Sequence, residues 1–258
     1  MPRVIITTCG TSLLTSNCWE IEIQAPDRTM KKMSEEQAIL DPTLQKPENL
    51  EKRIRLEQTY SENINLYGNN PDKLAENFDM QVWDDPSKIL KLPAELASLR
   101  AIINFFKCRQ QELNKQDNIV LIHSDNDDGK FCAKVLKGSL EKKIKIGCGI
   151  QLSEVEGLDP KDATGFNKAI MRIWDECQKE ITEKQNNEYI FNLTGGYKGT
   201  AIILGGLAYK LHEKARMAIF YLHETSDYEN ISVYHFRNKA LYSGYITQGG
   251  ETFGSLDW

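Results

Sequence analysis

The sequence predicts an α/β fold: a mostly parallel sheet with helices on both faces, a helical insertion after the first strand, and a C-terminal hairpin. Three observations carry it. Short apolar or β-branched runs alternate with longer amphipathic segments, the order that builds strand–helix–strand crossovers. Two of the runs open into small-residue turns, Cys9-Gly10-Thr11-Ser12 and Thr194-Gly195-Gly196. The 258 residues, 40% hydrophobic and 27% charged, are enough for one large core.

The elements follow in order. Residues 3–8, with Val4-Ile5-Ile6-Thr7-Thr8, read as a buried parallel strand. The polar region 20–78 reads as helices 31–39 and 48–64, separated by Asp41-Pro42 and Lys46-Pro47 and ended by Gly68-Asn69-Asn70-Pro71. It is longer than a crossover requires, and is expected to be either a lid over a ligand or a solvated decoration. A helix is predicted over 93–115, with Leu96, Leu99, Ile103 and Phe106 on one face. Next come strand 119–122, helix 129–141, strand 144–152, amphipathic helix 163–184, strand 188–192, helix 197–213 and strand 216–223. Residues 231–236 and 240–246 read as a hairpin around Arg237-Asn238-Lys239. The main domain is thus placed at 1–236, including the insertion 20–78, with a C-terminal hairpin or tail extension over 237–258.

Function is placed at the turn after strand 188–192. Phe191-Asn192-Leu193-Thr194-Gly195-Gly196-Tyr197-Lys198-Gly199-Thr200 is strand, small-residue turn, then helix, a form that binds phosphate because unhindered backbone N–H groups at a helix N-terminus favour negative charge. Gly195 and Gly196 clear the approach, and Lys198 adds a mobile cation. It is not a P-loop, whose lysine follows both glycines, nor a dinucleotide fingerprint, since Gly147-Cys148-Gly149 lacks a third glycine at Leu152. An ordinary strand–helix corner with a solvated lysine has the same sequence form. At the other end, Gly10 permits a turn, and the hydroxyls of Thr11 and Ser12 are suited to phosphate or ribose oxygens or to capping a helix.

Composition narrows the partners. The formal charge of −5 argues against a grip on long nucleic acid, yet leaves room for a small anion in a local basic pocket. No apolar run is long enough to span a bilayer and no signal-peptide pattern precedes the first strand, so a cytoplasmic protein without membrane association is expected. The six cysteines form no Cys-x-x-Cys pair and are expected to be free, mostly buried thiols. His123, His212, His223 and His235 lack metal-ligand spacing. The acidic run Asp125-Asn126-Asp127-Asp128-Gly129 fails the EF-hand pattern, with Val135 where its last ligand belongs. Neither a metal nor another cofactor is expected.

Four blocks in one order resemble the CRISPR-associated Rossmann-fold (CARF) family. They are Thr7-Thr8-Cys9-Gly10-Thr11-Ser12-Leu13-Leu14, Pro93-Ala94-Glu95-Leu96-Ala97-Ser98-Leu99, His123-Ser124-Asp125 with Asp128-Gly129, and Asn192-Leu193-Thr194-Gly195-Gly196-Tyr197-Lys198-Gly199. The resemblance runs from about residue 3 to about residue 236, weakest between Cys18 and Gln81, and is closest to the single-domain branch that includes ring nucleases. The stretch after His223 is too short for a further effector domain, so the activity is expected at the ligand site itself. The resemblance implies a Rossmann-like domain and a cyclic oligoadenylate ligand, most often the four-membered ring, and the two-fold symmetry of that ring leads to the expectation of a homodimer. The resemblance further implies metal-independent cleavage of that ring by ribose 2′-hydroxyl attack, switching off type III CRISPR signalling. The family's serine and lysine motifs land on Ser12 and Lys198, the expected catalytic pair. Gly10, Thr11, Ser12, Ser124, Asn192, Thr194, Gly195, Gly196, Tyr197 and Lys198 are the expected ligand-binding positions. The alternative is a sensor that binds the ring without cutting it and regulates a separate partner.

Overall fold

β1 (Arg3–Thr8) is buried along its whole length, as a β-branched run at the centre of a two-sided sheet must be. The computed structural model describes residues 1–10, 13, 18, 21–24, 30–33, 70–159, 161–196, 198–222, 229–237 and 240–254. After β1 come β2 (Ile21–Gln24) and β3 (Met30–Met33), which pair antiparallel as a separate two-stranded sheet. Helices α1 (Pro71–Glu76), α2 (Met80–Asp84) and α3 (Ala94–Cys108) precede β4 (Asn118–Ser124). The chain then alternates through α4 (Asp127–Gly138), β5 (Gly149–Val155), α5 (Ala163–Glu183), β6 (Glu188–Asn192), α6 (Lys198–Leu211) and β7 (Arg216–Leu222). It ends in β8 (Asn230–Arg237), β9 (Ala240–Thr247) and β10 (Thr252–Gly254).

The main sheet has eight strands in the order β10-β9-β8-β7-β6-β1-β4-β5. β5, β4, β1, β6 and β7 are parallel, and β8, β9 and β10 continue the same sheet antiparallel. Alternation along each strand divides the core. Ile5, Ile119, Leu121, Ile190 and Phe220 pack with Leu96, Leu99, Phe105 and Leu136 on one face. Val4, Ile6, Ile122, Tyr189, Phe191 and Met217 pack with Ile170, Ile173, Leu204 and Leu207 on the other. A one-residue slip of β1 would exchange these faces, so burial on both sides fixes the register. That register pairs Thr8 with Ile122 and Thr7 with Asn192, bringing the carboxyl ends of β1, β4 and β6 to one level.

Several boundaries depart from the sequence reading. Met30–Met33 is a strand, where residues 31–39 were expected to begin a helix; Ile21–Gln24 supplies its partner. Residues 34–39 and the expected helix 48–64 lie outside the described residues. Pro71 starts a helix, with Asn70 accepting from Lys73 N and Pro71 in the first turn, where a missing N–H costs nothing. α3 stops at Cys108, not at residue 115. Gln110 takes a left-handed φ of 57°, and the amides of Gln110 and Gln111 turn back to the carbonyls of Lys107 and Phe106. This is a Schellman closure made with glutamine in place of glycine. On α3, Ile102 and Phe105 are fully buried and Ile103 only partly.

Residues 144–148 are not strand. Ser139–Ile144 form a π turn after α4, and left-handed Lys145 and Gly147 then delay β5 until Gly149. Ile144 and Ile146 still pack on the core, which accounts for their apolar alternation. All six cysteines are free; Cys9, Cys18 and Cys132 are buried, Cys148 and Cys177 intermediate, and Cys108 exposed. No helix among the described residues is long and apolar enough to cross a membrane.

Candidate functional site

In strand order, β1 connects to one side of itself through β4 and β5, and the chain then returns to the other side at β6. Open α/β sheets bind ligands at such a reversal, outside the carboxyl ends of the strands. Here the reversal lies between β1 and β6, and the two glycine turns leave the sheet side by side. The Cys9 amide donates to Ile122 O at 2.8 Å, prolonging the ladder toward β4. The Thr8 hydroxyl donates across to the carbonyl of Gly195.

Glycine is required by contact here. A Cβ on Gly10 would come 3.2 Å from the Gly196 amide nitrogen, and one on Gly196, whose φ is +77°, would come 2.7 Å from the Thr8 side chain. A Cβ on Gly195 would overlap the side chain of Glu95. The turns therefore touch backbone to backbone, with Glu95 wedged beside them.

Glu95 stands in the first turn of α3, 2% exposed, and its Oε1 accepts from the Gly10 amide at 2.7 Å. The helix N-terminus stabilises that carboxylate. Behind it lies a buried polar ladder. Asn192 donates from Nδ2 to Thr7 Oγ1 at 3.0 Å and to Ser98 Oγ at 2.8 Å, and the Ser98 hydroxyl donates to the carbonyl of Glu95 at 3.1 Å. Thr7, Ser98 and Asn192 are fully buried, so β1, β6 and α3 are pinned together beneath the turns by groups that would be costly to leave unpaired.

The expected site residues fall into three groups. Gly10, Gly195 and Gly196 meet at the carboxyl edge, and Lys198, exposed, opens α6 immediately after them. Ser124, Asn192 and Thr194 lie at the same edge but spend polar groups internally: the Ser124 hydroxyl donates to Asn126 Oδ1 at 2.9 Å, Asn192 donates as above, and Thr194 Oγ1 accepts from the Leu222 amide at 3.0 Å. Thr11, Ser12 and Tyr197 lie outside the described residues.

Glu95 and Ser98 were quoted in the sequence only as part of a block, with no role. Their spacing of three on a helix start, one turn from a Pro, was the available signal. The Gly10 amide, by contrast, is taken by Glu95 and is no phosphate donor in this arrangement. Among the described residues, the start of α6 and the exposed Lys198 are the positive elements at this edge.

Cys9 is a buried free thiol. Burial first, and then the charge of Glu95, push its thiol well above the ordinary value, and Cys132 beside it is raised for the same reasons. His123, 3% exposed, holds Nδ1 2.9 Å from the Ser124 carbonyl, a structural contact. Among the described residues no three His, Cys, Asp or Glu side chains are placed to share a metal ion. A cleft of about 760 Å³ opens at the opposite, amino edge of the sheet, among Arg3, Lys107, Gln111, Glu188 and Arg216.

Comparison with known proteins matches residues 91–231, just over half of the chain, to a family model described as CRISPR-associated protein (Cas_APE2256). The matched stretch holds Glu95, Ser98, Asn192, both glycines of the β6 turn and Lys198, and begins after β1. No curated protein matches the chain.

Proposed function

Because the chain belongs to the Cas_APE2256 family of CRISPR-associated proteins, we propose that it is a ring nuclease for cyclic oligoadenylate, with cyclic tetra-adenylate as substrate. One observation carries the reading. The Gly10 turn and the Gly195-Gly196 turn converge at the sheet's reversal point, with a lysine at the start of the helix that leaves it. This is a site for a small phosphodiester, compatible with a net charge of −5 that disfavours long nucleic acid.

The chemistry requires no external nucleophile. A ribose 2′-hydroxyl gives its proton to water as its oxygen attacks the adjacent phosphorus in line; the bond to the 5′-oxygen breaks, and that oxygen takes a proton back from water. Two cuts give two linear di-adenylates ending in 2′,3′-cyclic phosphate. Lys198 and the N-terminal amides of α6 offset charge on the phosphoryl oxygens, and Ser12 orients the phosphate or the 2′-hydroxyl. Neither a thiol of low pKa nor a histidine from the described part of either turn assists proton transfer, so turnover is slow. The same feature favours the second reading, a sensor that binds the ring and regulates a separate partner. A ring with two-fold symmetry is met by two copies of the chain, each offering its turns to one half.

The test is incubation of purified protein in EDTA with labelled cyclic tetra-adenylate and hexa-adenylate. Short linear adenylates with cyclic phosphate ends support the nuclease. Tight binding of an intact ring over hours leaves the sensor. A monomer by light scattering, with and without ring, removes the two-fold arrangement.

A further inference from the structure

We propose that Glu95 is a positioning residue of this site: its carboxylate sets the turn after β1 by holding the Gly10 amide, and braces the turn after β6 by filling the space beside Gly195. Both Gly10 and Gly195 lie against this one side chain. Oε1 lies 2.7 Å from Gly10 N, and a Cβ at either Gly10 or Gly195 would meet Glu95 before anything else. A carboxylate 2% exposed and accepting from a backbone amide is expensive to bury and strongly bound once paired, which holds both turns in one geometry before any ligand arrives. Its own backbone is fixed in turn, since the Glu95 carbonyl accepts from Ser98, and Ser98 accepts from Asn192 at the end of β6. Glu95 therefore links the start of α3, the end of β1 and the end of β6. It acts through Gly10 and Gly195 and not on the reacting atoms. The kinetic consequence rests on the ring-nuclease reading; the structural one does not.

Reach and charge are separable. Glu95→Asp keeps the charge but is one methylene too short to reach Gly10. Glu95→Gln keeps the reach and an acceptor oxygen but loses the charge. Hydrogen exchange, read by mass spectrometry on peptides covering residues 8–12 and 193–199 without ligand, is expected to quicken at both turns in Glu95→Asp and to stay near wild type in Glu95→Gln. Single-turnover cleavage of cyclic tetra-adenylate at saturating protein is expected to fall ~10²-fold in Glu95→Asp, more than affinity falls, with Glu95→Gln within about tenfold of wild type. Unchanged exchange at both turns in Glu95→Asp overturns the proposal. So does the reverse ranking, with Asp active and Gln inactive, because charge and not reach would then be the contribution. A wild-type protein that neither binds nor cuts the ring removes the ring-nuclease reading, while exchange at the two turns still decides the role of Glu95.

Discussion

The two edges of the sheet use charge in opposite ways. At the amino edge a cleft of about 760 Å³ is rimmed by charges of which Arg3, Glu188 and Arg216 already have partners. The Arg3 guanidinium grips Asp117 through both carboxylate oxygens, Nη2 to Oδ2 at 2.7 Å and Nε to Oδ1 at 3.2 Å. It also donates to the carbonyls of Gln111 and Glu112 and lies 4.5 Å over the Phe106 ring. Glu188 faces Arg216 at 3.8 Å. At the carboxyl edge two glycine turns meet, an exposed lysine opens a helix, and a buried polar ladder ties the strands together beneath them. Concavity alone does not mark a ligand site. The proposed site rests instead on a strand–turn–helix junction whose exposed cation, Lys198, follows two closely packed turns.

The largest expected effect breaks the amino edge. Arg3→Ala leaves the buried Asp117 with only the backbone amides of residue 3 and Asn114 to meet its charge and should cost ~3–5 kcal/mol in denaturant unfolding. Ring binding by the protein that remains folded should be unchanged; a specific loss of ring affinity would move the site to this edge. Next in size, Lys198→Ala should lower single-turnover cleavage by ~10²–10³ with a smaller loss of affinity, since only stabilisation that grows in the transition state accelerates the step. Arg216→Ala at the amino-edge cleft serves as its comparison and should leave the rate unaltered.

Third, Gly196→Ala should destabilise by ~1–3 kcal/mol, because a side chain is strained at φ +77° and would strike Thr8. Thr8→Ser, which keeps the Cβ and the hydroxyl oxygen that the added side chain would strike, should recover little of that loss in thermal unfolding. The smallest effect is electrostatic. Burial raises the Glu188 carboxyl above its ordinary value, against the opposing charges of Arg216 and Arg3. A group with a raised folded pKa binds its proton more tightly in the folded state, so its contribution is full below the unfolded value, about pH 4, and is lost as pH rises through the folded value. The stability of Glu188→Gln relative to wild type should therefore increase as pH rises through that window. A difference that does not change with pH would show that the Arg216 pair cancels the cost of burial.

Much of the fold was legible because it is written in periodicity. β1, α5, β6 and α6 lie where apolar spacing put them, and the hairpin is present as β8 and β9. Two of the misses share a cause: backbone geometry supplied by residues that carry no signal for it. Gln110 and Lys145 take left-handed conformations that a reader assigns to glycine, which ended α3 early and delayed β5. The strand Thr252–Gly254, after a turn with Gly250 at φ +86°, is too short to show alternation. In the candidate site the glycines and Lys198 were visible as a strand–turn–helix. The distinction between Asn192, which spends its amide hydrogens inside the core, and Lys198, which stays exposed, was not. Both belong to one short motif, and only burial separates them.

The sequence by itself determined the class of fold, the order of its elements, and the two turns where glycine frees the backbone, because period and local conformational preference act over a few residues at a time. Tertiary structure alone decided that those turns, about 185 residues apart in the chain, touch at the reversal between β1 and β6. It also decided that a glutamate from a third element occupies the junction and takes the Gly10 amide. Register across a parallel sheet is set by the burial of both its faces, a property of the assembled layers that no single segment carries.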